Sequence, residues 1–132
     1  MTYVLVVEDD IAVRELVEAL LTDEGYEVRT ASDGLEAVDA LLVSPGPMVV
    51  LLDVLMPRMG GDAVLRLVSE GEGSLARHVY ILMTALASSL PDDLSQLARS
   101  LDVPVLAKPF DIERVLRTVE TAKARLDAPV HA

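Results

Sequence analysis

The 132-residue sequence predicts an α/β fold, a five-stranded parallel sheet covered by helices on both faces and built from five consecutive strand–helix units. Three observations carry this. Four short runs, at 3–7, 48–52, 79–83 and 103–107, are almost purely apolar, as suits strands buried on both faces. Between them the apolar residues recur at helical spacing. Loop-forming sequences rich in Gly and Pro separate the two patterns.

In chain order, the run 3–7 is the first strand. Over 11–24 the apolar stripe is Val13, Leu16, Val17 and Leu20, with Asp10 placed to cap the helix and Gly25 to end it. Residues 26–31 alternate, with Glu27 and Arg29 between Tyr26, Val28 and Thr30, which predicts an edge strand with one wet side. A helix over 35–43 leads through Ser44-Pro45-Gly46-Pro47 to the third strand at 48–52, and a helix over 62–70 leads through the loop 70–74 to the fourth at 79–83. Pro91 suits a first helical position, and Leu94, Leu97, Ala98 and Leu101 line one face of the helix 91–101. Pro104 cannot donate to a ladder, so the run 103–107 reads as an edge strand. Asp111 caps a last helix over 111–126 with the stripe Ile112, Val115, Leu116 and Val119. One domain over 1–126 and a tail over 127–132 account for the chain.

Composition excludes several functions. With 22 acidic and 11 basic residues the formal charge is −11, which disfavours a grip on nucleic acid or anionic lipid. There is no Cys or Trp and only one Phe, and the only imidazoles are His78 and His131. Thiolate chemistry is thereby excluded, and a serine triad or a multi-histidine metal site is disfavoured. No apolar run reaches the length of a membrane span and none resembles a leader, so a cytoplasmic protein without membrane or nucleic-acid partners is expected.

Each of the four apolar strands ends at distinctive polar residues: Glu8-Asp9-Asp10, Asp53, Thr84 and Lys108-Pro109. In a parallel sheet the carboxyl ends of all strands share one edge, so these residues are expected to form one site. Taken singly, Asp10 reads as a helix cap, Thr84 as a turn residue and Lys108 as a solvated base. Asp53, directly after an apolar run, risks burial and needs a partner. Glu8, Asp9 and Asp53 would crowd three negative charges, a donor set that favours a hard cation such as Mg²⁺. With the metal and Lys108 the charges balance, and the site can receive an anionic phosphoryl group.

The segments Val6-Val7-Glu8-Asp9-Asp10, Leu52-Asp53-Val54-Leu55-Met56-Pro57-Arg58-Met59-Gly60-Gly61, Met83-Thr84-Ala85 and Ala107-Lys108-Pro109-Phe110 resemble the four signature segments of two-component response-regulator receiver domains, the CheY-like family. The resemblance runs over residues 1 to about 126, in order and in spacing. It implies a flavodoxin-like doubly wound (βα)5 sheet of strand order 2-1-3-4-5. It further implies Asp53 as phosphoacceptor, Mg²⁺ held by Glu8, Asp9, Asp53 and the backbone carbonyl of Leu55, and phosphoryl contacts from Thr84, Ala85 and Lys108. The Lys108-Pro109 bond is expected to be cis. A sensor histidine kinase or histidine phosphotransfer protein is the implied donor, with a downstream protein target or a phosphorylation-dependent homodimer as output. Ile11, Arg14 and Phe110 stand where a kinase would contact the domain.

Two departures bear on signalling. In this family an aromatic often stands three residues before the lysine and swings as the switch Thr84 moves; here Val105 occupies that place, so displacement of the 85–89 loop and the following helix is the expected switch. The positions two after the phosphoacceptor and two after the switch threonine, Leu55 and Leu86, are both apolar, which predicts slow self-dephosphorylation. Two other readings compete: a receiver fold used only as a docking module without phosphorylation, and a phosphohydrolase working through an aspartyl phosphate. The second ordinarily needs an Asp where Leu55 stands.

Overall fold

Each of the four apolar runs contributes a strand, and with the alternating segment 26–31 they make a five-stranded parallel sheet in the order β2-β1-β3-β4-β5. The strands are β1 (Tyr3–Val7), β2 (Glu27–Ala31), β3 (Val49–Asp53), β4 (Val79–Thr84) and β5 (Val105–Ala107). The helices between them are α1 (Ile11–Asp23), α2 (Gly34–Leu42), α3 (Gly61–Ser69), α4 (Asp92–Ser100) and α5 (Ile112–Asp127), with a 3₁₀ turn over Leu75–Arg77. The computed structural model describes residues 2–71, 73–85 and 88–127.

The pleat divides the core in two. Leu5, Val7, Val50, Leu52 and Leu82 face α2, α3 and α4, while Val4, Val6, Val49, Leu51, Ile81 and Met83 face α1 and α5. β3 is buried along its whole length, which explains why its sequence is apolar without alternation. β2 and β5 are the edges. Pro104 lies just before β5 rather than inside it, and its carbonyl accepts from Leu82 N at 2.9 Å, so the missing N–H costs no ladder bond.

The helix ends follow the capping expectations. Asp10 accepts from Ala12 N (2.9 Å) and Val13 N (3.2 Å), Asp111 accepts from Glu113 N (3.0 Å), and Gly25 ends α1 at φ +93°. Pro91 sits one residue before α4, as its N-cap rather than its first residue. The stripe expected for α1 is rotated: Leu16 is 52% exposed, while Val17 and Leu21, one full turn apart, are completely buried. In α5 the expected stripe holds at Val115 and Val119, which are buried, and gains Ala122, while Ile112 at its start is exposed. α5 continues through Asp127, the first residue assigned to the tail; the remainder of the tail, 128–132, lies outside the described residues.

Candidate functional site

The register of the sheet brings the polar strand ends together. Asp53 is the last residue of β3, paired with Met83, and Thr84 is the last of β4, paired with Ala107. Glu8 follows β1 and its N–H donates to Ala31 O at 3.1 Å, while Lys108 follows β5 and its N–H donates to Thr84 O at 3.0 Å. Backbone pairing therefore extends one residue past β1 and β5 at this edge, which fixes where the two oppositely charged side chains start. The Lys108-Pro109 bond is cis.

Glu8, Asp53 and Thr84 are buried, and Asp9 is exposed. Carboxylate oxygens of Glu8, Asp9 and Asp53 all lie within 4.8 Å of one another. Lys108 Nζ bonds Glu8 Oε1 directly and lies 3.2 Å from Asp53 Oδ2, so one ammonium is shared by two buried carboxylates. Glu8 Oε2 accepts from Asp10 N at 3.2 Å, and the Glu8 carbonyl accepts from Arg14 Nη1 at 2.8 Å. Burial and the neighbouring Asp53 carboxylate push the Glu8 pKa above its ordinary value, with Lys108 and the Asp10 N–H opposing. Burial by itself would lower the Lys108 ammonium, but its bond to Glu8 and the charge of Asp53 outweigh that and hold its pKa above the usual lysine value.

The residues present fit a hard divalent cation. All three side-chain donors are oxygens, two are buried with a single cation between them, and the Leu55 carbonyl accepts no backbone hydrogen bond among the described residues. Leu55 itself is 60% exposed, at the start of the loop 54–60. Two glycines let that loop close on β3: a Cβ on Gly61 would stand 2.4 Å from Asp53 O, and one on Gly60 2.5 Å from Val54 O.

Of the other residues singled out from the sequence, Ala85 lies in a turn just past Thr84. Val105 is half-buried against the core on the α2–α4 side. Leu86 lies outside the described residues. Ile11 is 61% exposed beside the acidic pair, whereas Phe110 packs partly into the α1–α5 core.

The sequence reading missed Asp33 and Arg58. Asp33 is 2% exposed; one of its oxygens accepts from Glu36 N at 3.0 Å, capping α2, and the other accepts from Arg58 Nε at 2.7 Å. The Glu36 N–H foremost, with the Arg58 guanidinium beside it, holds the Asp33 pKa below the usual carboxylate value. The cap was detectable as Asp-Gly before an apolar helix; the partner 25 positions on was not.

A fold of this order, with an acidic cluster and a lysine at its carboxyl edge, defines a class, and comparison with known proteins agrees. The family model described as response regulator receiver domain matches residues 4–120. The chain belongs to that family. It is 40% identical over 114 residues to the response regulator MprA of Mycolicibacterium vanbaalenii, covering 86% of this chain and 46% of that protein. This chain thus spans about half the length of the curated relatives it matches. Among solved structures it resembles the chemotaxis protein CheY4 of Vibrio cholerae, with 30% identity, a TM-score of 0.75, and coverage of 92% of this chain and 98% of that one. It is also similar to the response regulator TrrA of Thermotoga maritima, solved in complex with magnesium and beryllofluoride, with 29% identity, a TM-score of 0.76, and coverage of 92% and 99%. No helix among the described residues is long and apolar enough to cross a membrane.

Proposed function

We propose that this receiver domain accepts a phosphoryl group on Asp53 from a phosphohistidine of a sensor histidine kinase or histidine phosphotransfer protein, in a Mg²⁺-dependent reaction, and signals to a protein target. The observation that carries this reading is the sharing of Lys108 between Glu8 and Asp53, with Asp9 alongside, at the carboxyl edge of the sheet.

An Asp53 carboxylate oxygen attacks phosphorus opposite the P–N bond of the donor. The new O–P bond forms as the P–N bond breaks, and the electron pair leaves with the imidazole nitrogen. Lys108, 3.2 Å from Asp53 Oδ2, is placed to follow the charge onto a phosphoryl oxygen. Thr84, at the end of the adjacent strand, offers a hydroxyl to a second oxygen, and the Ala85 N–H serves a third. Glu8, Asp9, Asp53 and the Leu55 carbonyl would hold a magnesium ion, which supplies positive charge to the transferring group. The magnesium-beryllofluoride complex of TrrA supports that donor chemistry in a relative. Water then attacks the phosphorus of the acyl phosphate, restoring the Asp53 carboxylate and releasing inorganic phosphate, so the domain catalyses only its own modification and its reversal. With Val105 carrying no ring to reorient, displacement of α4 is the proposed switch; the 85–89 loop expected to move with it includes residues 86 and 87, which lie outside the described residues.

The test is incubation with MgCl₂ and phosphoramidate or acetyl phosphate, followed by intact-protein mass spectrometry. A mass increase of one phosphoryl group, absent in Asp53→Asn and absent without Mg²⁺, is expected. No adduct under any of these conditions would leave a docking module, and an adduct that persists in Asp53→Asn would move the acceptor elsewhere.

A further inference from the structure

The loop 54–60 carries the Leu55 carbonyl and is held at its two ends by different parts of the molecule. At its start, Val54 N donates to Met83 O at 3.2 Å, and Val54 O accepts from Gly61 N at 3.1 Å. At its far end, Met59 O accepts from Gly34 N at 2.9 Å, and the Arg58 guanidinium bonds Asp33 Oδ2 through both Nε and Nη2. Both far-end ties go to the first residues of α2. The approach is too close for any other residue at position 34, since a Cβ there would stand 2.5 Å from Met59 O. Between these anchors Leu55 is exposed, so its carbonyl is positioned only by what holds the loop on either side.

Arg58 has φ +65°, a conformation in which a non-glycine residue is strained. Glycine would adopt it freely, and the segment already uses glycine two and three positions on, at Gly60 and Gly61. What arginine adds over glycine is a guanidinium that reaches a carboxylate 2% exposed, whose second oxygen is occupied in capping α2. A cap alone needs no such partner.

We propose that Asp33 and Arg58 form a positioning pair. They hold the loop in the conformation that presents the Leu55 carbonyl to the acidic cluster, and so couple the N-terminus of α2 to the affinity for a divalent cation. This inference rests on the phosphoacceptor reading above. If the loop spends less time in the cation-competent conformation, apparent affinity falls by the same fraction. By reciprocity, cation binding tightens the contact between the loop and α2.

The test compares the wild-type chain with Arg58→Gly, Arg58→Lys and Asp33→Asn. Mg²⁺ is titrated while the amide signals of Gly34, Leu55 and Met59 are followed by NMR, and melting temperatures are recorded without metal. Glycine relieves the strain at φ +65° but leaves the buried Asp33 carboxylate without its cation, two effects of opposite sign, so Arg58→Gly is expected to melt close to the wild-type temperature, yet to bind Mg²⁺ about three- to tenfold more weakly. Asp33→Asn, which still caps α2, should weaken binding in the same direction, and Arg58→Lys should recover part of the loss. Wild-type Mg²⁺ affinity in Arg58→Gly would overturn the proposal, as would a loss that only parallels a fall in melting temperature. A wild-type protein indifferent to Mg²⁺ would overturn the phosphoacceptor reading, and this inference with it.

Discussion

Lys108 Nζ lies 3.2 Å from Asp53 Oδ2 while also paired with Glu8, one hundred positions earlier in the chain. The cation comes from the end of an edge strand and the carboxylates from the two central strands, so the charge balance of the site depends on β5 being in place.

Lys108→Ala leaves Glu8 and Asp53 buried and crowded without their cation. Removing one partner of such a buried group costs about 3–5 kcal/mol at neutral pH. Urea unfolding at pH 7 should show that loss. The Glu8 pKa already lies above its ordinary value in the folded state, so the folded variant takes up a proton readily and the loss should shrink as pH falls toward 5. A penalty that does not change with pH would mean that the lysine stem, and not its charge, is what the site misses.

Asp9→Asn acts on the same crowding from the exposed side. It should stabilise the metal-free protein slightly and remove most of the rise in melting temperature that Mg²⁺ produces through binding only the folded form. Thermal melts with and without millimolar Mg²⁺ check both. An equal Mg²⁺ shift in the variant would take Asp9 out of the metal set.

Phosphoryl lifetime tests the apolar pair at 55 and 86. Leu55 is exposed at the mouth of the site, where an apolar side chain gives an attacking water nothing to bind. Leu55→Asn combined with Leu86→Glu should shorten the half-life of the phosphorylated form several-fold, by roughly 1 kcal/mol of barrier, measured as decay of the mass adduct after the donor is removed. An unchanged half-life would place control of the water elsewhere.

His78 supplies the pH dependence of the fold. Its Nδ1 accepts from Met48 N at 2.9 Å and its Nε2–H faces Leu41 O at 3.3 Å, an arrangement that requires a neutral ring. Burial foremost, with the Arg77 charge adding to it and Leu41 O opposing, pushes its pKa below 6.5. The unfolded chain therefore takes up this proton first as pH falls. The stabilisation is intact above the unfolded value of 6.5 and is lost progressively from there down to the folded pKa. His78→Leu should cost about 2 kcal/mol at pH 8 by losing both bonds, and the gap to wild type should narrow as the pH falls below 6.5. A constant gap would refute the neutral ring.

Strand positions and the residues of the acidic edge were legible in the sequence because they depend on local patterns and on one topological rule, whereas strand order came only with the resemblance to receiver domains. A buried run such as 49–52 has only one way to sit in a parallel sheet, and residues at strand ends then share an edge. What was not legible depends on rotation and on distant partners. Leu16 and Leu21 are both apolar and on adjoining parts of α1, and only packing decides that Leu21 points inward. Asp33 and Arg58 meet because two loops cross at the same edge, which no spacing reveals. His78 read as an uncommitted imidazole, and its task emerges only where the end of α2 and the start of β3 pass on either side of it.

The arrangement of β5 also matters while the protein is being made. This strand has only three residues and joins the sheet through Leu82 to Val105, Met83 to Leu106 and Thr84 to Ala107. Glu8, Asp9, Asp53 and Thr84 all precede Lys108 in the chain and are therefore joined to it before the lysine is. Until then a growing chain carries the nucleophile without its counter-charge. Under the proposed chemistry, a receiver lacking β5 would lack the cation that the transferring phosphoryl group needs.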